Sequence, residues 1–138
     1  MENFDVKNFF FENDYVLFDT TTFPLIYLKF KIEDPDRKQF DAYMECMDKV
    51  FLKDIYFVVL IELNGSEYLK AAFRREIAEW HIEHHDHMEK HCKGEAYISH
   101  SPEQRTMMSV ILDSYPLPNP VLVTDTLEKA MNWLEGRV

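Results

Sequence analysis

Apolar residues along this chain follow two rhythms, and the changes between them mark its elements. Residues 15–18 (YVLF) and 24–31 (PLIYLKFK) are short β-branched and aromatic runs joined by the turn residues Asp19 to Thr22, which predicts a hairpin. Asp34 and Pro35 then form a helix start, a cap followed by a proline suited to the first helical position. Phe40, Tyr43, Met44, Met47 and Phe51 recur after it at helical spacing, so one amphipathic helix is expected to end near Lys53, with Cys46 off its apolar stripe. Residues 55–61 (IYFVVLI) are continuously apolar, as a central strand covered on both faces requires.

From about residue 67 to 91 the helical rhythm returns, with Leu69, Phe73, Ile77, Trp80, His84, Met88 and His91 near one face. One long helix is expected there, ended by Gly94 and followed by a short strand at 96–98. Ser101, Pro102 and Gln104 carry a capping box with proline at the first helical position, and Met107, Met108, Ile111 and Leu112 make the apolar face that follows. Residues 121–123 (VLV) read as the last strand. Asp125 and Glu128 then open a final helix whose inward face is Leu127, Ala130, Met131 and Leu134. The order β-β-α-β-α-β-α-β-α implies an α/β domain with a mixed, mostly parallel five-stranded sheet and helices packed on it. Residues 1–13, with Phe9, Phe10 and Phe11, read as an arm on this single domain of residues 14–138 and as a candidate homodimer contact.

Composition narrows the partners. The chain has 138 residues and a formal net charge of −10, so phosphate backbones and anionic lipid surfaces are disfavoured. The longest apolar run is far too short to span a bilayer, which argues against stable membrane insertion. Two cysteines, Cys46 and Cys92, lie far apart, and no secretory signal is visible at the N-terminus, so a cytoplasmic protein is expected.

Candidate chemistry is confined to one stretch. Five of the six histidines fall between His81 and His91. On a helix His81 and His85 share a face, as do His87 and His91, and Cys92 follows directly, so these five residues are the candidate ligands of a divalent metal. Residues 81–85 (HIEHH) place the glutamate one position too late for a metalloprotease word. His84, central on the apolar stripe, is expected to be a buried, hydrogen-bonded residue. No glycine-rich phosphate loop and no nucleophile elbow occurs. A pocket, if present, belongs at the carboxyl ends of the parallel strands, near 63–66 and 99–101.

Several local words occur in a familiar order: Asp19 and Thr20 before Phe23, Pro24 and Leu25; Trp80 in the long helix; residues 92–96 (CKGEA) entering a strand; and residues 120–123 (PVLV) before 126–134 (TLEKAMNWL). In this the chain resembles the SpoIIAA-like (STAS/SEC14-like) bacterial domains over about residues 15–136. The resemblance implies a non-catalytic binding or regulatory domain that acts through a protein partner or an apolar small ligand, without a required cofactor. It also makes Ser66 a candidate phospho-switch, although the surrounding residues 63–67 (LNGSE) lack the acidic residue and paired serine of that family's word. The rival expectation is a metal-binding protein or metal-dependent enzyme built on the histidine helix.

Overall fold

The computed structural model describes residues 4–32, 34–63, 70–114 and 116–138. Six strands form one sheet in chain order: β1 (Phe10–Glu12), β2 (Val16–Asp19), β3 (Leu25–Phe30), β4 (Phe57–Glu62), β5 (Cys92–Ile98) and β6 (Val121–Thr124). β1, β2 and β3 pair antiparallel, and β3 to β6 are parallel. The count therefore exceeds the five expected. The extra strand is β1, whose three residues inside the N-terminal arm are too few to carry a period-two signal.

Among the described residues five helices connect and cover the sheet: α1 (Arg37–Phe51), α2 (Ala71–Glu83), α3 (His85–His91), α4 (Pro102–Ser114) and α5 (Leu127–Glu135). α1 starts later than Asp34 suggests. Asp36 is its cap, accepting from the Gln39 backbone N–H at 2.7 Å while Gln39 returns a bond to the Asp36 N–H. α5 is likewise capped by Thr126, not Asp125. Strands that advance in one direction through right-handed crossovers put the connecting helices on one face of the sheet. Val16, Phe18, Ile26, Leu28, Val59 and Ile61 meet α1, α2 and α3 on that face, around Phe40, Met47, Phe51, Phe73, Trp80 and Met88. α5 lies on the other face, where Ala130 and Leu134 meet Val58, Leu60, Ala96 and Ile98. Both faces of β4 are thus covered, which is why residues 57–61 are all buried and apolar.

Four local expectations change. The long helix is broken: α2 ends at Glu83 and α3 begins at His85, with His84 in the turn between them. Cys46, off the apolar stripe of α1, is nonetheless buried and belongs to the apolar cluster on that face. α4 buries only Gln104, and Met107, Met108, Ile111 and Leu112 remain half-buried, outside both apolar clusters. Gly94 ends no helix, because β5 begins at Cys92 and Gly94 lies inside the strand.

Gly94 is instead a close-approach glycine. A Cβ there would stand 2.8 Å from Arg137 Cδ and 3.1 Å from the Trp133 ring of α5. The Arg137 chain can swing aside, but the indole is held against the sheet. Gly94→Ala is expected to cost about 1–3 kcal/mol, as overpacking does. Urea midpoints would measure it, and an unchanged midpoint would mean that Trp133 yields freely.

Candidate functional site

His91 is the best-packed histidine of the run. It closes α3, is 5% exposed, and its Nδ1 lies 2.9 Å from the backbone carbonyl oxygen of His87. A carbonyl accepts only, so Nδ1 carries the proton and donates. The lone pair of the neutral ring is then on Nε2. Nε2 faces Asp54 Oδ1 at 3.7 Å, and that carboxylate is 94% exposed in the turn between α1 and β4.

His87 sits one turn earlier, its ring stacked on that of His91 with centroids 4.1 Å apart. Its Nε2 lies 2.9 Å from the Phe51 carbonyl oxygen and 3.2 Å from that of Lys53. The Phe51 carbonyl belongs to the end of α1, where intrahelical donors run out, and that of Lys53 to the turn that follows. His87 therefore caps α1 through Nε2–H and leaves its Nδ1 lone pair to offer. One ligand atom each from Asp54, His87 and His91 lies within 4.8 Å of the others.

The remaining candidate ligands lie elsewhere. The break at His84 separates His81 in α2 from His85 in α3. His85 is exposed, with Nδ1 3.2 Å from Asp86 Oδ1. The His81 ring stands edge-on to Trp80 at 5.2 Å. Its Nδ1 is buried without a partner, and burial, helped by the charge of His84, lowers its pKa to about 4. Cys92 is buried in β5 with Sγ 3.6 Å from the Gly94 carbonyl oxygen, and burial pushes its thiol well above the ordinary range. A thiol held neutral is a poor metal ligand. His84 is not the buried residue its stripe position suggests: its side chain is 23% exposed and its ring leans on Trp80 at 4.7 Å. The buried, hydrogen-bonded histidine is His91, because the break rotates the face of α3 relative to α2. Ser66 lies outside the described residues.

Sequence reading misses two groups. Asp54 sits beyond the helix pattern in a turn, and no local spacing links it to residues more than thirty positions away. Glu95 is a buried carboxylic acid in β5, 4% exposed, which accepts from Asn119 Nδ2 at 2.7 Å. An irregularity in β5 sets Cys92 and Glu95 opposite Phe57 and Val59, so one extra residue is absorbed and both side chains turn to the α1 face. Burial pushes the Glu95 carboxyl up, against the opposing effect of its hydrogen bonds with Asn119 and Tyr97.

A different surface lies at the far edge of the sheet. α4 is fixed at its start by polar contacts. Ser99 Oγ donates to Gln104 Oε1 at 2.5 Å, Arg105 donates to the Ser99 carbonyl at 2.8 Å, and Ser101 Oγ accepts from the Gln104 N–H at 3.1 Å. Beyond that start its apolar residues are only partly covered, and Val110 is 60% exposed. Beside it runs β6, the last strand of the sheet, with Val121, Leu122 and Val123 half-buried. Open, shallow hollows lie along α4, lined by Pro102, Thr106, Met107, Val110 and Val123. They flank the strand end near residues 99–101. No helix among the described residues is long and apolar enough to cross a membrane.

Comparison with family models, with curated proteins and with solved structures finds no match for this chain.

Proposed function

We propose that this is a non-catalytic binding domain that receives an extended, apolar segment of a protein partner along β6 and α4. The observation that carries the reading is the contrast between the two edges of the sheet. β1 is an edge of three residues guarded by the Glu12–Lys31 ion pair at 2.8 Å. β6 is an edge of four residues, VLVT, without a charge, beside a helix whose methionine and aliphatic face is half-exposed. Natural sheets usually guard an open edge with charge, proline or a covering element. Pro120 and Asp125 bound β6 at its two ends, and the apolar edge between them fits strand addition, in which backbone groups supply affinity and flanking side chains supply selectivity.

The same features favour a protein segment over an apolar small molecule, the other partner the SpoIIAA-like resemblance suggests. Small ligands need enclosure on most sides, and the hollows along α4 are open. Glu103 and Asp113 outnumber Arg105 among the charged residues that line them, and on a chain of net charge −10 this favours a segment that carries basic residues beside its apolar ones.

Selection from a displayed library of extended peptides tests this. Apolar, partly basic sequences should be enriched, and their amide shifts should concentrate in β6 and α4. Val123→Lys should weaken them at least tenfold without changing the fold, since Val123 is only half-buried. Binders that map to another face, or that bind the Val123→Lys chain equally well, would defeat the reading.

A further inference from the structure

We propose that Asp54, His87 and His91 form a binding site for a divalent transition-metal ion of the zinc, nickel and copper class. The site is separate from the β6–α4 surface and does not depend on its function. Two imidazoles and one carboxylate are the donor set that borderline divalent ions prefer, whereas magnesium and calcium take oxygen ligands throughout.

The strongest support is the orientation of the two rings. A metal-binding imidazole commonly donates its second N–H to a carbonyl or carboxylate, which fixes the tautomer and aims the other nitrogen. Both rings place one nitrogen on a backbone carbonyl here, a partner that side-chain motion cannot remove, and each keeps its other nitrogen for an ion. His91 donates through Nδ1 to the His87 carbonyl, and His87 donates through Nε2 to the Phe51 carbonyl at the end of α1. His91 is also buried, so its ring keeps one orientation before any ion arrives.

The third ligand completes the set at small cost. With bonds of about 2.0–2.2 Å, neighbouring ligand atoms around a tetrahedral ion stand about 3.3–3.5 Å apart. Asp54 Oδ1 is already 3.7 Å from His91 Nε2, and all three ligand atoms lie within 4.8 Å. Asp54 is the most exposed of the three and the one free to turn toward an ion. Three protein ligands leave a coordination position for water or for an external group. His81, His85 and Cys92 contribute nothing, so the His-rich run binds through His87 and His91 together with Asp54, more than thirty positions before that pair.

Zinc titration of untagged protein by calorimetry tests the site, with cobalt absorption as a second measurement. The wild-type chain should bind one ion, and the cobalt spectrum should report nitrogen and oxygen ligands without the intense thiolate band. Asp54→Asn, on a fully accessible side chain that the fold does not need, should weaken zinc at least fivefold. His91→Gln and His87→Gln each keep an N–H donor for their carbonyls while deleting a ligand, and should weaken it at least tenfold. His85→Gln and His81→Gln should bind as wild type does. Absence of zinc binding in the wild-type chain would overturn the proposal. So would equal affinity in Asp54→Asn and His91→Gln, or loss of binding in His85→Gln.

Discussion

Trp80→Ala is expected to remove about 3–5 kcal/mol of stability, a large fraction of what a domain of this size commands. The indole is 6% exposed and joins three elements. Its edge meets the Phe51 ring of α1 at 6.2 Å, and Phe51 in turn stacks on Phe57 of β4 at 5.3 Å. Its Nε1–H donates to Asp48 Oδ1 at 2.8 Å, a second tie to α1. Alanine forfeits the buried area, opens a cavity beneath α2 and leaves Asp48 without that donor. Trp80→Phe retains most of the apolar contact and loses the hydrogen bond, so a smaller cost of about 1–2 kcal/mol is expected. Guanidinium unfolding of the two variants measures both figures. Equal losses would assign the effect to the hydrogen bond and not to the packing.

The same residue marks how far the sequence could be read. Phe73, Ile77 and Trp80 show the α2 stripe because each faces the core at regular spacing, and the α/β order and most boundaries follow from similar local rhythms. The break at His84 was hidden because HIEHHDH contains neither glycine nor proline, and polar residues on both sides leave no periodicity to interrupt. His84 continued the stripe on paper, whereas in the fold its backbone leaves the helix and His91 takes the buried place. The fold brings His87 and His91 of the histidine run together beside Asp54 and sets His81, His85 and Cys92 apart from them. Asp54 was illegible because its approach to His91 is made by the tertiary packing of α3 against the end of α1. The loose seating of α4 was illegible for the opposite reason. Its apolar stripe is as regular as those of the core helices, and nothing in periodicity tells a covered face from one left for a partner.

Glu95 makes the second large prediction, and its sign is worked from the direction of its shift. Burial raises its carboxyl above the ordinary 4.5, so the folded chain holds a proton that the unfolded chain releases. The stability this contributes is fully present below pH 4.5 and is lost as pH rises through the folded value. Glu95→Gln keeps the shape and the acceptor for Asn119 Nδ2, carries no charge to desolvate, and brings an amide donor toward Asn119 Oδ1, which is buried without a partner. The variant should therefore be more stable than wild type at pH 8, by about 1–3 kcal/mol, and nearly equal to it at pH 4. Glu95→Ala should instead lose about 2–4 kcal/mol at every pH, because it leaves a cavity and unpaired donors. His81 slopes the other way. Its pKa is lowered to about 4 by burial and then by His84, so its contribution is present above 6.5 and is lost as pH falls toward 4. Denaturant midpoints from pH 4 to 9 separate the two: Glu95→Gln should flatten the alkaline side and His81→Gln the acid side. A Glu95→Gln profile parallel to wild type would mean that Glu95 is ionised in the folded chain.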